Sequence, residues 1–377
     1  MDIQHVHFYV ENAGKWQAWL IERMGFLPVA TARSPETWTE IVRCGGVWLV
    51  VSSARTSASP VAAYLEHHPP GVADLAFGVS SVAAVMGQAI AAGATIVQPV
   101  DQEDLLTGTL RWGAIAGWQD LRHTLLEWTG QSAVPIWALL PDLETLDFWE
   151  PGAVSPHCAG FFDQIDHAVL NVAAGDLERV TAWYERVLGL QRQQVFTIQT
   201  QHSGLCSRVL GHPSGTVQLP INEPASPNSQ IQEFLDLNRG AGIQHVALRT
   251  RDALGAIANL RQRGVEFLAV PPEYYTQLRQ RDGFSLSEES WQAIAQQQVL
   301  VDWDADEPNA MLLQAFTQPI FPQPTFFFEV IERRAYWSNQ QQRLPDGFGE
   351  GNFQALFQAM EQEQRKRGSL GSDGVME

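Results

Sequence analysis

The chain has 377 residues, 45% of them hydrophobic and 18% charged, which is enough for two globular domains with sizeable cores. Its 42 acidic residues outnumber its 24 lysines and arginines, and the net charge of −18 excludes nucleic acid as an expected partner, because phosphate binding needs a basic face. The sequence has no apolar run near the roughly 18 residues of a membrane span and begins with no secretory signal pattern.

The three cysteines, at positions 44, 158 and 206, are far apart in the sequence. Such spacing argues against a disulfide framework and against a zinc knuckle. We therefore expect a reduced, cytoplasmic protein without a membrane partner.

The first predicted strand recurs in the second half of the chain. Residues 3–10 (IQHVHFYV) match residues 165–172 (IDHAVLNV), which places His5 on His167. An amphipathic helix is predicted after each strand, with AWLIERMGF in the first copy and AWYERVLGL in the second. Residues 1–55 therefore resemble residues 163–220.

A second pair of segments follows the first. Residues 71–79 (GVADLAFGV) match 242–250 (GIQHVALRT), which places Asp74 on His245. Further on, TLLE (124–127) matches FFFE (326–329) and places Glu127 on Glu329, with one insertion near residues 272–302. The chain thus reads as four βαβββ modules in two halves, with a first domain over 1–150, a Pro- and Gly-rich linker over 151–164 and a second domain over 165–377.

This layout resembles the vicinal-oxygen-chelate superfamily, across about the first 330 residues. The resemblance implies an α+β fold in which each pair of modules curls into an open barrel. In that superfamily one such barrel holds a single metal ion.

Two histidines and one carboxylate of the second half are the predicted metal ligands. Strict alternation puts His167 on one strand face with Ile165, Val169 and Asn171, and Glu329 on one face with Phe327 and Ile331. A carboxylate in so apolar a strand is costly to bury without a cation. His167, His245 and Glu329 would together form the facial triad typical of non-haem Fe(II). The alternatives are hydrogen-bonded core histidines, and a Glu329 paired with Arg333 or Arg334.

In the first half the aligned residues are His5, Asp74 and Glu127. All three types of side chain bind metals, but the polar and aromatic residues expected around a site have no clear counterpart in this half. We therefore predict a structural first half without a metal.

Several motifs of the second half are similar to those of the 4-hydroxyphenylpyruvate dioxygenase family. They include PPEYYTQLRQR, PTFFFEVIERR and GFGEGNFQALFQAMEQEQ, and they span most of residues 203–365. The resemblance implies one Fe(II) per chain and conversion of 4-hydroxyphenylpyruvate and O2 to homogentisate and CO2 in tyrosine catabolism. It also implies a homo-oligomer, either a dimer or a tetramer.

The same resemblance implies a substrate pocket of uncharged polar and aromatic side chains. Gln244 adjoins His245, so alternation points it away from the metal, and we expect it to support the histidine rather than to contact substrate. The pocket residues implied are Ser207, Asn222, Gln230, Gln244, Gln314, Phe316, Phe327, Phe348 and Phe353.

A C-terminal helix over about residues 352–367 is predicted to act as a lid. Asn352 is a good N-cap, and Phe353, Leu356, Phe357 and Met360 recur at helical spacing. The preceding GFGEG would serve as a hinge. Residues 335–346 form a longer connection than expected, and the last ten residues, GSLGSDGVME, are predicted to be a disordered tail.

Three alternative functions remain open. A 4-hydroxymandelate synthase shares fold, metal and substrate, although Pro220, Asn222 and Phe353 favour the dioxygenase. An extradiol dioxygenase would need an acid/base histidine, for which His202 and His212 are weak candidates. A non-catalytic binding module is the third.

Overall fold

The computed structural model describes residues 1–140, 144–148, 161–200, 202–213, 215–303, 307–338, 340–345 and 347–369. The predicted linker, 151–164, therefore lies outside the described residues up to position 160, and so does most of the predicted tail. In the described part of the chain, no helix has the length and apolar character needed to cross a membrane.

The first half contains two βαβββ modules. The first module consists of β1 (Asp2–Tyr9), α1 (Ala13–Glu22), β2 (Leu27–Arg33), β3 (Thr37–Cys44) and β4 (Val47–Ala54), and α2 (Pro60–His67) leads into the next. The second consists of β5 (Gly71–Gly78), α3 (Val82–Ala91), β6 (Ile96–Leu105), β7 (Gly108–Ala116) and β8 (Arg122–Trp128). A 3-10 helix (Ile136–Leu139) and β9 (Thr145–Phe148) follow.

The second half repeats this order and adds helices. Its first module consists of β10 (Gln164–Asn171), α4 (Leu177–Leu188), β11 (Gln191–Gln199), β12 (Gly204–Gly211) and β13 (Gln218–Pro224), followed by α5 (Gln230–Asn238). Its second consists of β14 (Gly242–Arg249), α6 (Ala253–Gln262), β15 (Leu300–Trp303), β16 (Met311–Phe316) and β17 (Phe327–Arg333). Helices α7 (Pro272–Leu278) and α8 (Glu288–Gln296) occupy the predicted insertion.

The chain ends in a hairpin and a long helix. The connection over 335–346 contains β18 (Tyr336–Ser338) and β19 (Gln341–Arg343), which pair with each other. Helix α9 (Glu350–Arg367) follows and begins two residues before the predicted lid. Gly349, with φ 68°, is its N-cap, so the prediction that Asn352 caps the helix is wrong.

The two halves form one sheet each, with matching strand orders. The first sheet runs β6-β7-β8-β5-β1-β4-β3-β2-β9, and the second, read in the same direction, runs β15-β16-β17-β14-β10-β13-β12-β11. The central pair of each, β1 with β5 and β10 with β14, is antiparallel and joins the two modules of a half. The predicted α+β fold with two curled sheets is confirmed.

Both central strand pairs contain β-bulges, which break the simple alternation of side chains. Gln4 and Asp166 are the extra residues on β1 and β10, and Ala73 and Gln244 are those on β5 and β14. As a result Ile165 packs with Ala168 in the main core rather than on the face of His167. The prediction that Ile165 shares a face with His167 is therefore wrong.

One hydrophobic core extends across both halves. The ring of Phe8 on β1 contacts those of Phe326, just before β17, and Phe328, within it, with centroids 5.0 and 6.3 Å apart. The helices α3 and α4 also pack against each other across the halves. The backs of the two sheets are thus buried together, and the opposite face of each curled sheet is left for a cavity.

Candidate metal centre

Three side chains converge on the open face of the second sheet. His167 lies on β10, His245 on β14 and Glu329 on β17, and their ligand atoms all lie within 4.8 Å of one another. Glu329 Oε2 is 3.1 Å from His167 Nε2 and 3.5 Å from His245 Nε2. Ligands about 2.1 Å from one metal, at right angles, would be about 3 Å apart, so this spacing suits a facial triad.

The bulges orient both histidines through their Nδ1 atoms. Asp166 Oδ1 is 3.0 Å from His167 Nδ1, and Gln244 Oε1 is 3.3 Å from His245 Nδ1. Both partners are acceptors at neutral pH, so each Nδ1 donates a proton to its partner and each Nε2 is the atom that faces Glu329 and could bind a metal. Gln244 thus supports His245, because the bulge cancels the simple alternation along β14.

Burial and charge act together on the protonation of the three groups. Burial opposes a charged His167, but the carboxylates of Glu329 and Asp166 outweigh it and raise the pKa of His167 to about 9. Burial would raise the pKa of Glu329, yet the two histidines lower it to about 2. Glu329 is therefore ionised at neutral pH and needs a cation, either a proton on His167 or a metal.

A buried ion pair links the ligand His167 to the hinge before α9. Arg333, at the end of β17, donates to both carboxylate oxygens of Asp166 at 2.7 and 2.8 Å. The same guanidinium donates to the backbone oxygens of Pro345 and Gly347 at 3.0 and 2.8 Å. It also lies over the ring of Phe348, 6.0 Å from the centroid. Arg333 thus contacts both the carboxylate behind His167 and the chain that leads into α9.

Polar contacts also hold α9 over the triad. Gln314 Nε2 donates to Glu329 Oε1 at 2.8 Å, and Gln314 Oε1 accepts from Asn352 Nδ2 at 2.7 Å. Asn352 Oδ1 in turn accepts from the Tyr274 hydroxyl at 2.9 Å. On the next turns, Glu361 accepts from Thr200 and Ser203. Asn352 is therefore a buried contact between lid and triad rather than a helix cap.

The cavity at the triad, which we call the metal-site cavity, is small and mostly apolar. Its volume is about 20 Å³, room for about one water molecule. The Phe348 ring meets the His167 ring edge-on at 4.9 Å. The lining consists of the three ligand residues with Val169, Phe196, Ser207, Val209, Pro220, Gln314, Phe316, Phe348, Phe353 and Leu356.

Four predicted pocket residues lie elsewhere in this closed arrangement. Asn222 pairs across the strands with Ser207, and its Nδ2 donates to Asn171 Oδ1 at 3.4 Å. Gln230, Gln244 and Phe327 line a second cavity of about 20 Å³ beneath α9. Within the described residues, Oδ1 of Asn222 and Oε1 of Gln230 are buried without a hydrogen-bond partner. Their assignment to the substrate stays a prediction.

Sequence reasoning missed several residues that support the triad. Asp166 and Arg333 were not singled out as a pair, although an aspartate directly before a predicted ligand histidine is a signal that could have been used. Tyr274, whose hydroxyl donates to Asn352, was also overlooked. His202 and His212, the weak acid/base candidates, do not line the metal-site cavity.

Strand pairing corrects the predicted equivalence in the first half. His7 is opposite Asp74 as Val169 is opposite His245, so Asp74 does correspond to His245. However, Asp74 is level with Arg122 on β8, whereas His245 is level with Phe327 on β17. Two residues further on, Thr124 therefore corresponds to Glu329. The alignment of Glu127 on Glu329 is wrong by three residues.

Glu127 has a structural role instead. Its Oε2 accepts from the backbone N of Val82, the first residue of α3, at 3.0 Å, and its Oε1 pairs with Arg111. Glu332 is its true counterpart, because Glu332 Oε2 accepts from the backbone N of Ala253, the first residue of α6. Each carboxylate satisfies a free N–H at a helix start.

The first-half positions hold an ion pair where the second half has its triad. Asp74 Oδ2 lies 3.2 Å from Arg122 Nε, and Asp74 also accepts from the backbone N and the hydroxyl of Thr124. Burial, weakly countered by Asp74, lowers the pKa of His5 to about 4, so this histidine is neutral at pH 7. In the described chain, the only group of His, Cys, Asp or Glu with metal-ligand spacing is that of His167, His245 and Glu329.

Comparison with known proteins places the chain among dioxygenases. A family model described as the Glyoxalase/Bleomycin resistance protein/Dioxygenase superfamily matches residues 164–284. A 4-hydroxyphenylpyruvate dioxygenase of Coccidioides posadasii is 34% identical over 97% of this chain and 94% of its own length, and one of Dictyostelium discoideum is 35% identical over 97% and 99%. An uncharacterized protein of Synechocystis sp. is 34% identical over 96% of this chain and 97% of its own.

Among solved structures, a triple mutant of 4-hydroxymandelate synthase from Streptomyces coelicolor is similar over the whole chain. It superposes with a TM-score of 0.82 at 28% identity, over 96% of this chain and 98% of its own. The similarity extends across both halves, so the pairing of the two curled sheets is shared with this protein.

Proposed function

Because the chain belongs to the 4-hydroxyphenylpyruvate dioxygenase family, a family of enzymes, we propose that it is an Fe(II)-dependent dioxygenase. It would convert 4-hydroxyphenylpyruvate and O2 to homogentisate and CO2, a step of tyrosine catabolism. The observation that carries the proposal is the buried group of His167, His245 and Glu329, with both Nε2 atoms turned toward the carboxylate.

The residues present fit a divalent metal. Glu329 is 1% exposed and ionised, so its carboxylate needs a positive charge at this position. The proton on each Nδ1 is held by Asp166 and Gln244, which leaves neutral imidazoles as ligands. Fe(II), one per chain, is the ion that this donor set suggests. When bound, it would supply the positive centre at which a 2-oxo acid and O2 react.

The surrounding side chains would bind the substrate and exclude water. Phe316, Phe348 and Phe353 surround the triad and provide an apolar wall for an aromatic ring. Ser207 and Gln314 offer hydrogen bonds without adding charge next to the metal. These features suit a substrate with an uncharged phenol ring and a chelating 2-oxo acid.

Helix α9 would have to move for the substrate to enter. The metal-site cavity has room for about one water molecule, far less than 4-hydroxyphenylpyruvate requires. Closure through Asn352 and Gln314 would then seal the site, since their hydrogen bonds reach Glu329 directly.

The test is turnover by purified protein loaded with Fe(II). With 4-hydroxyphenylpyruvate and O2, we expect homogentisate as the product, with one CO2 released per substrate. Product identification by chromatography and mass spectrometry is the measurement. Ring cleavage of a catechol without CO2 release, or binding without O2 consumption, would contradict the proposal.

A 4-hydroxymandelate synthase is the second candidate, and the similarity to the Streptomyces structure favours it. The same incubation separates the two, because the synthase would yield 4-hydroxymandelate. Pro220 and Phe353, which favour the dioxygenase by resemblance, both line the metal-site cavity. Asn222 does not, so its weight in this choice is smaller. Oligomeric state and location in the cell stay predictions.

A further inference from the structure

The first sheet encloses a cavity that no step of the proposed reaction uses. We call it the first-half cavity. Its volume is about 490 Å³, within the range of about 300–1,000 Å³ typical of small-molecule sites. Its inner wall contains His5, His7 and Tyr9 of β1, and the ion pair of Asp74 with Arg122. It therefore occupies the same place in the first half as the metal-site cavity does in the second.

The wall contains polar groups that have no hydrogen-bond partner within the described chain. The indole Nε1 of Trp112, on β7, is buried without a hydrogen-bond partner among the described residues, and the side chain is 7% exposed. A buried donor left unpaired is costly, so it signals a missing acceptor. His5 Nδ1 is 2.8 Å from the acceptor Gln4 Oε1, so its Nε2 has a lone pair. Nε2 has no hydrogen-bond partner within the described chain.

The rest of the wall suits a planar apolar body. Trp112, Tyr9 and His7 contribute rings, and the ring of His7 meets that of Tyr9 edge-on at 5.0 Å. Val50 and Ile136 add aliphatic surface. Aromatic walls of this kind favour a ring in the ligand.

The charges around the cavity exclude an anion. Three carboxylates line it, the buried Asp74 and the exposed Glu36 and Asp101, against the single guanidinium of Arg122. Arg122 is already paired with Asp74 and donates to Gln98 Oε1 at 2.9 Å. A second negative charge would thus meet more repulsion than attraction, in a protein of net charge −18.

We propose that the first-half cavity is a second binding site, which takes a small uncharged aromatic molecule with a hydroxyl group. The hydroxyl donates to His5 Nε2, an oxygen of the ligand accepts from Trp112 Nε1 after the indole turns toward the cavity, and the ring packs against the aromatic wall. The site is independent of the metal, since its polar groups belong to the other sheet.

The test is calorimetric titration of the full chain with 4-methylphenol, which is neutral at pH 7. We expect one probe molecule per first-half cavity, with and without metal. The variants Trp112→Phe, which removes only the indole N–H, and His5→Leu each weaken binding about fivefold to tenfold, as the loss of one hydrogen bond predicts. The anion 4-hydroxybenzoate binds at least about tenfold more weakly.

The matched control is Ser207→Ala, which removes a hydroxyl from the metal-site cavity and leaves this affinity unchanged. Thermal melts verify that each variant folds. If His5→Leu does not fold, the proposal is tested by the affinity of Trp112→Phe together with NMR contacts between the probe and Ile136. The proposal is overturned by three outcomes: no binding of 4-methylphenol, wild-type affinity in both first-half variants, or affinity lost only in Ser207→Ala.

Discussion

The two halves of this protein use one scaffold for two different interiors. Both place a histidine after a bulge on the central strand, His5 after Gln4 and His167 after Asp166. Where the second half has Phe327 and Glu329, the first has Arg122 and Thr124. Together with Asp74 in place of His245, these differences separate a triad with metal-ligand spacing from an aspartate already satisfied by an arginine and a threonine.

The halves also differ in what covers the open face of each sheet. In the second, the 18-residue helix α9 reaches the triad through Asn352 and leaves about 20 Å³. In the first, the described chain after β8 begins with a 3-10 helix of four residues, and its Ile136 borders a cavity of about 490 Å³. The helix that follows the last module, rather than the curled sheet itself, therefore closes the metal-site cavity.

The largest expected effect comes from substituting the third triad residue of the second half and comparing it with substitutions at the corresponding first-half positions. Glu329→Ala should reduce bound metal from about one per chain to nearly none, because two neutral imidazoles alone hold Fe(II) weakly. Thr124→Ala and Glu127→Ala should leave metal content unchanged. Elemental analysis after metal loading measures this. Metal lost on the first-half substitutions would mean that the halves are less different than their geometry indicates.

The second prediction compares the arginine–aspartate pairs of the two halves. Arg333→Ala should lower the free energy of unfolding by about 3–5 kcal/mol, because it leaves Asp166 charged, buried and unpaired. Arg122→Ala should cost less, about 1–2 kcal/mol, since Arg122 is one-third exposed and Thr124 still satisfies Asp74. Urea denaturation of metal-free protein gives both values. Equal losses would show that the exposure of the two arginines does not govern the difference.

The third prediction concerns pH. The pKa of His5 is about 4 when folded and near 6.5 when unfolded, so the unfolded chain binds the proton more tightly. The stabilisation that the neutral His5 contributes to the folded state is fully present above pH 6.5 and is lost as pH falls toward 4. When pH falls from 7.5 to 5.5, the free energy of unfolding of His5→Leu should decrease by about 1 kcal/mol less than that of the wild type. Urea denaturation at both pH values measures this difference. If the free energy of unfolding changed equally with pH in the two proteins, His5 would not be a buried, neutral histidine in the folded state.

The smallest effect is expected from loosening the lid. Asn352→Ala removes the hydrogen bonds to Gln314 and Tyr274, which should shift the closing equilibrium of α9 about tenfold toward open. Hydrogen exchange of the helix amides measures the opening. Gln354→Ala, an exposed position on the same helix, is the control and should exchange like wild type. Unchanged exchange in Asn352→Ala would show that these hydrogen bonds do not hold the helix closed.

Much of this arrangement could be predicted from the sequence. The repeat of IQHVHFYV in IDHAVLNV, and of GVADLAFGV in GIQHVALRT, indicated four modules and paired His5 with His167 and Asp74 with His245. Local periodicity sufficed for this, because each module is a contiguous unit whose hydrophobic pattern survives duplication. The apolar context of Glu329 likewise indicated a carboxylate that needs a cation.

The tertiary structure alone decided which residues face each other. A bulge adds one residue and reverses every face beyond it, so strict alternation misplaced Ile165. The expectation that Gln244 supports His245 agrees with the 3.3 Å contact between Gln244 Oε1 and His245 Nδ1. The match of TLLE to FFFE arose by chance from similar composition. Strand pairing shows that Thr124, rather than Glu127, corresponds to Glu329. Asp166 and Arg333 form their ion pair although they are 167 positions apart in the sequence, and Asn352 and Gln314 are hydrogen-bonded at a separation of 38 positions. Such long-range contacts arise only when the strands and the final helix assemble, and they determine which half is closed.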